Sequence, residues 1–552
     1  MARIVLTHLV ADVVAGAVAP ATVVVGDDGR IESIGPARGD VAPGVLIPGL
    51  VDAHVHVESS MLPPWEFARV AMRHGTVASV SDPHEIANVL GEEGVRFMLD
   101  DIAGSPFTCW FGCPSCVPAT SFESAGAVLD AAACARLLDD PRVPYLAEMM
   151  NWPGAIAGEA DVLAKISAAH ACGKPVDGHA PGLRGEQARA YFARGITTDH
   201  ECVSLDEARE KAALGVRILI REGSAARDFE ALWPMLVERP ELCMFSTDDA
   251  HPDDLLAGHI DRLLARAVAR GVPAMSALRA ATLNPVRHYG LPCGLLRQGD
   301  RADFVLVGDL RTFCPKRVWI AGEAVADDGR VLVPPRRSAT PNAFRPARFS
   351  AGDFAVAAVA PRCDVRLIVV DDGQLVTRSA IAPMMARDGL LEPDSASDTL
   401  LIAVVNRYAA APIATAFIRG IGLARGAIAS SVAHDCHNVV AVGASRAALA
   451  AAVNAVFASR GGLAVATETG VESLALPIAG LMSDRSADEV AQRYAALSSA
   501  AKALGSPLRA PFMTLSFMAL LVIPELKLGD RGLFDGVRFQ FVPPVSAARP
   551  GG

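Results

Sequence analysis

Net positive charge, patterned cysteines and long apolar stretches are all scarce in this 552-residue chain. A general nucleic-acid binder needs a basic face, which a formal net charge of −10 does not supply. A small-molecule partner is expected instead. The 11 cysteines are odd in number and do not fall into the two close-spaced pairs of a structural zinc site, so they read as free thiols of a reducing compartment, and a cytoplasmic location is expected. The opening MARIVLTHLVADVVAG is interrupted by Asp12 and no small-residue cleavage site follows it, which argues against a signal peptide. The late apolar run at 512–523 is broken by Thr514 and Ser516 and falls short of the ~20 residues a spanning helix needs. It reads as buried core, and no membrane association is expected. No short-period repeat is present.

What is there points to an α/β protein of more than one domain. The length exceeds what one core normally supports. With 51% hydrophobic residues, 47 Gly and 37 Pro, the composition suits many short loops. Residues 1–45 alternate β-rich runs and turns, with Asp28-Gly29 placed as in a hairpin. A matching piece lies at 302–335, with a turn at Asp328-Gly329. Together they are expected to form one small, discontinuous β domain.

Between them, at 46–301, short apolar runs alternate with Ala-rich helical segments, the pattern of repeated βα units. Eight strands are expected, at 46–56, 76–80, 107–111, 143–149, 174–179, 196–200, 216–220 and 241–249. Eight is the number of a TIM-type (β/α)₈ barrel. A Pro- and Arg-rich stretch at 333–349 then separates a C-terminal α+β domain, 350–552.

Barrel enzymes carry their chemistry at strand C-terminal ends. Here the first strand ends in His54 and His56, whose i, i+2 spacing puts both imidazoles on one face. His84 and Glu85 follow the second strand, Glu148 lies in the fourth, His179 and His200 end the fifth and sixth, and Asp248 ends the eighth. Four histidines and two carboxylates from five strands suit a pair of metal ions bridged by one carboxylate. A carboxylate in an apolar strand such as LAEMM needs a cation or a hydrogen-bond network. Asp249, beside Asp248, reads either as the catalytic member of that pair or as a helix cap.

On these residues the chain resembles the amidohydrolase superfamily, through PGLVDAHVH, His179, His200, Asp248 and the exit segments ATLNPVRHYG and GLLRQGDRADFVLV. A denser set resembles the bacterial adenine deaminases: HVESS, SDPHEIANVLG, LAEMMNWPG, VDGHAPG, IREGSAARD and STDD. Further on, SSVAHDCHNVVAVG, LPIAGLMSD and PFMTLSFMALLVIPELKLGDRGLFDG extend the likeness to nearly the whole chain. In place of the carboxylated Lys of many superfamily members, the fourth strand offers Glu148. Cys436 stands where Ser is expected.

The resemblance implies hydrolysis of adenine to hypoxanthine and ammonia, in purine salvage, by water activated on a divalent pair held by His54, His56, Glu148, His179, His200 and Asp248. It favours manganese or iron, although such ligands also accept zinc. It also implies a homo-oligomer. Asp248 is the candidate for moving the water's proton, and Glu58, His84, Glu85 or Glu201 for protonating the purine ring. For Glu85 a solvated carboxylate at a helix start is an equal reading, and His434, His437 and Asn438 read either as reaching the barrel mouth from the C-terminal domain or as a polar surface loop. The alternatives are another cyclic amidohydrolase or deaminase, or a non-catalytic barrel scaffold.

Overall fold

The computed structural model describes residues 3–224 and 226–547. Met1, Ala2, residue 225 of the IREGSAARD segment and 548–552 lie outside the described residues. Two compact units are present. The first comprises Met1–Pro83, Val95–Ser115 and Leu129–Ser338; the second comprises His84–Gly94, Cys116–Val128 and Ala339–Gly552.

In the first unit the two β pieces join in a single eight-stranded sheet. Ile4–Asp12 pairs antiparallel with Ala17–Val25, and Phe304–Val307 pairs antiparallel with Val45–Pro48, which itself lies parallel to Ile4–Asp12. Val10, Val23, Val25, Leu46, Phe304 and Trp319 form its core. Asp328 and Gly329 both have positive φ, +44° and +75°, as a two-residue hairpin requires. The expected strand at 46–56 is two strands, Val45–Pro48 in this sheet and Leu50–Val55 beyond it. Gly49 makes the transition, where a Cβ would fall 2.3 Å from Val77.

Eight further strands lie in the expected segments: Leu50–Val55, Thr76–Ser81, Thr108–Phe111, Leu146–Met149, Val176–Gly178, Thr198–Asp199, Arg217–Arg221 and Cys243–Ser246. Parallel ladders join the first three, the fourth with the fifth, and the last three. Parallel bridges supply the remaining links: Cys113 with Leu146, Val176 with Ile196, and Val55 with Asp248. The pairing therefore returns from the eighth strand to the first. Helices such as Pro64–Arg73, Ala160–Ala171, Leu205–Ala213 and Ile260–Ala269 lie between strands, the right periodicity for burying one face against them.

The second unit is built on a nine-stranded mixed sheet that includes the expected runs as Arg362–Val369 and Leu400–Val405. The Ala-rich helix Arg446–Ala458, capped by Ser445, contributes Leu449, Val453 and Phe457 to its core. The apolar run at 512–523 forms short turns of helix, Pro511–Ser516 and Phe517–Ala519, with Phe512, Leu515 and Met518 buried. Among the described residues no helix is long and apolar enough to cross a membrane. All 11 cysteines are free.

Segments 84–94 and 116–128, expected inside the 46–301 domain, group instead with the second unit. Side-chain bonds account for this. Glu85 is held by His434 and His437, while Ser124 donates its N–H to Asp530 and its carbonyl accepts from Asn438.

Candidate metal centre

Each side chain of the first-unit cluster is placed by the end of a strand. His54 and His56 share one face of the first strand, and the Nδ1–H of His56 donates to the Asp82 carbonyl at 3.0 Å. Its Nε2 faces Asp248 Oδ1 at 3.1 Å and Glu148 Oε1 at 3.4 Å. Two carboxylate oxygens converging on one ring nitrogen need a positive charge among them, either a proton on that nitrogen or a bound cation. Buried His54 is similar: its Nε2 makes no hydrogen bond, lies 3.5 Å from Asp248 Oδ1, and its ring stacks on His200 with centroids 4.0 Å apart. Burial and the nearby His200 lower its basicity.

Glu148 faces two ways. While Oε1 points to His56, Oε2 lies 2.7 Å from His179 Nδ1 and 3.1 Å from His200 Nε2. Burial pushes this carboxyl up, but His179 and His200 outweigh it and hold it well below the usual carboxylate range. The ligand atoms of His54, His56 and Asp248 lie within 4.8 Å of one another, as do those of His54, Glu148 and His200. The donor set thus fits divalent cations: four imidazoles and two carboxylates converge, all of them buried except the half-buried His179.

The fifth and sixth strands approach closely at Gly178, where a Cβ would fall 2.3 Å from the Thr198 carbonyl. Beyond it, the His179 N–H donates to the Tyr191 hydroxyl at 3.1 Å, and that hydroxyl donates to the Met149 carbonyl at 2.7 Å. Behind His200, Asp199 accepts from the Ala180 N–H at 2.9 Å and from Lys211 Nζ at 2.9 Å; Nζ also donates to Glu207 at 2.7 Å. Lys211 is fully buried. Lys211→Met should therefore lower stability by about 3–5 kcal/mol in a denaturant titration, because two buried carboxylates lose their cation.

Asp248 has φ +55°, in the left-handed region that Asp tolerates better than most residues. Its Oδ2 accepts from Arg221 Nη1 at 2.9 Å, and Arg221 also binds Glu201 and Asp228. Burial opposes ionisation of Asp248, yet His54, His56 and Arg221 hold its carboxyl well below the usual range. Asp249 is not a helix cap: it accepts a 2.5 Å bond from the Ser59 hydroxyl, and the helix Pro252–Ala257 has no side-chain cap. Glu58 is buried in the 3-10 turn Val57–Ser60 that directly follows His56.

In the second unit, His84 and Glu85 open the helix His84–Leu90. Glu85 is no solvated helix-start carboxylate. Both of its oxygens are bound, one by His434 Nδ1 and the other by His437 Nε2. His437 Nδ1 accepts from the Ala433 N–H at 3.1 Å, so its proton sits on Nε2. His434 lies flat on Phe517 with centroids 4.5 Å apart. His434, His437 and Asn438 are all buried, which overturns the surface-loop reading. Burial pushes Glu85 up, but His434, His437 and His84 hold it well below the usual range; burial takes His437 down to about 4. Cys436 is buried as well, and burial with the nearby Glu123 pushes its thiol well above its usual value.

Residues 45–325 match the amidohydrolase family, and residues 374–540 match the adenine deaminase C-terminal domain. The chain is 54% identical to the adenine deaminase of Salinibacter ruber, over 96% of this chain and 97% of that protein. It is 51% identical to the adenine deaminase of Methanosarcina acetivorans, over 90% and 92%, and 51% identical to that of a Sulfurovum species, over 90% and 92%. The chain belongs to the adenine deaminase family. Its amidohydrolase part holds the six-residue cluster, and the family's C-terminal domain holds His434 and His437. Arg221 has no role in the strand-end pattern, although it ends the seventh strand inside IREGSAARD, and that position was its only signal. Nothing local marks His434 and His437 as partners of Glu85, which precedes them by 349 and 352 residues.

Proposed function

We propose that the chain catalyses the hydrolytic deamination of adenine to hypoxanthine and ammonia, on a closed (β/α)₈ barrel flanked by the small β domain and followed by the C-terminal domain. The observation that carries this reading is 54% identity to an adenine deaminase over nearly the whole chain, joined to a donor set in which no expected position is vacant. The 11 free thiols support a cytoplasmic location.

His54, His56, Glu148, His179, His200 and Asp248 would hold a pair of divalent cations, manganese or iron by family, with Glu148 shared between them. Such a pair supplies Lewis acidity that makes water nucleophilic at neutral pH. Asp248, ionised and with Oδ1 toward His54 and His56, takes the water's proton and passes it to the departing amino group. Arg221 keeps Oδ2 occupied, so Oδ1 is the working oxygen. As C6 of adenine becomes tetrahedral the ring must gain a proton, and Glu58, His84 and Glu85 are the groups proposed to manage it. Glu201 is held instead by Arg221.

The test is ammonia release from adenine by the purified protein. Chelation should abolish it, and manganese or ferrous iron should restore it. A fully metal-loaded sample that leaves adenine unchanged would reject the substrate and leave only the wider amidohydrolase assignment.

A further inference from the structure

The pairing of parallel strands closes at one seam, between the first strand and the eighth, and Asp248 sits on that seam. Its main chain is bonded to both neighbouring histidines: its N–H donates to the His54 carbonyl at 3.0 Å, and its carbonyl accepts from the His56 N–H at 3.1 Å. These two bonds fix where the residue sits. They do not by themselves hold φ at +55°, a conformation uncommon for any residue with a side chain.

The residue before it is held by a second device. Thr247 is gripped twice by Asp52: its N–H donates to Oδ1 at 3.1 Å and its hydroxyl donates to Oδ2. Asp52 Oδ1 lies 3.4 Å from the His54 N–H, and His259 Nε2 lies 3.0 Å from Oδ2. His259 Nδ1 in turn meets the Thr76 hydroxyl at 2.7 Å, on the second strand. Asp52, Thr76, Thr247 and His259 are all buried, and Asp52 is wholly inaccessible. A carboxylate there is costly unless its partners are retained, and an apolar side chain of similar size would fill the same space. Closing the strands does not require it, because the main-chain bonds already do so.

We infer that Asp52, Thr247 and His259 form a clamp that aims the Asp248 carboxylate at the space between His54 and His56. They are positioning residues, which touch neither the reacting atoms nor the cluster's ligand atoms. The inference rests on the proton-transfer role given to Asp248 above. Thr247 sets the backbone entry to Asp248, Asp52 ties that entry to the strand carrying both histidines, and His259 lies between Asp52 and the second strand. Misplacement by about 1 Å can cost ~10²-fold in rate.

The test uses Thr247→Val, which removes the hydroxyl and preserves the shape, and Thr247→Ser, which restores it. In metal-loaded full-length protein, Thr247→Val should lower kcat about 10²-fold with KM for adenine near wild type, and Thr247→Ser should recover most of the loss. A readout independent of turnover is the visible absorption of the cobalt(II)-substituted protein. It should change in Thr247→Val and match wild type in Thr247→Ser. A folded Thr247→Val with wild-type kcat, or one whose cobalt spectrum is wild type, overturns the clamp. If Thr247→Val does not fold, His259→Gln takes its place, and wild-type kcat with a wild-type spectrum in that variant has the same force. Failure of the deaminase reading would appear as wild-type protein inert toward adenine, and the cobalt comparison would still decide the clamp.

Discussion

Glu148→Gln is expected to lose metal as well as rate, and metal content is the more telling of the two. The carboxylate turns one oxygen toward His56, at 3.4 Å, and the other toward His179 and His200, at 2.7 and 3.1 Å. Glutamine keeps the shape but offers one oxygen and an NH₂ group, and the NH₂ is a hydrogen-bond donor with no affinity for a cation. Both groups of imidazoles lose an anionic partner, and whichever way the amide turns, one of them meets an NH₂ in place of an acceptor oxygen. The pocket also loses a negative charge where four histidines converge, so cations are attracted less strongly. Removal of an outer partner of a ligand typically costs ~10- to 100-fold in metal affinity or activity, and removal of a shared ligand should cost at least as much. Elemental analysis of protein purified in manganese, with ammonia release measured on the same sample, reads both quantities. Wild-type occupancy of both positions in Glu148→Gln would reject Glu148 as the shared ligand.

The eight strands were legible as short runs between helical segments, most of them followed by a polar residue, and Glu148 because an acid inside LAEMM is costly to bury. Helical periodicity and strand ends are local properties, so they survive in sequence. The readings that failed depend on what meets a side chain from far along the chain. Asp249 looked like a helix cap until Ser59, 190 residues earlier, was found donating to it. Arg221 gains its meaning from Glu201 and Asp248, 20 and 27 residues away. His434 and His437 resembled a surface loop because histidine and asparagine are common there, and only their bonds to Glu85 account for their burial. Domain edges were hard to read for a similar reason. The 46–56 run is continuous in hydropathy, and the break at Gly49 comes from the approach of Val77.

Asp248→Asn is expected to retain the fold and much of the metal while losing ~10²- to 10⁴-fold in rate, the usual cost of removing a positioned general acid or base. Retention of the fold follows from the backbone. The residue has φ +55°, a region in which Asn is as much at ease as Asp, and its N–H and carbonyl bonds to His54 and His56 do not involve the side chain. Retention of metal follows because His54, His56, Glu148, His179 and His200 are unchanged, and an amide oxygen can still face the site. The lost property is basicity: the carboxylate that His54, His56 and Arg221 keep ionised becomes an amide that cannot accept the water's proton. The loss should therefore fall on kcat more than on KM for adenine, since the interaction removed acts in the transition state. Asp249→Asn is the control. Its carboxylate accepts a 2.5 Å bond from the Ser59 hydroxyl, an acceptor role that an amide oxygen can also fill, so turnover should stay near wild type. The reverse outcome, with Asp249→Asn inactive and Asp248→Asn active, would shift the working register of the eighth strand by one residue. It would also contradict the pair of main-chain bonds that sets Asp248 between the two histidines.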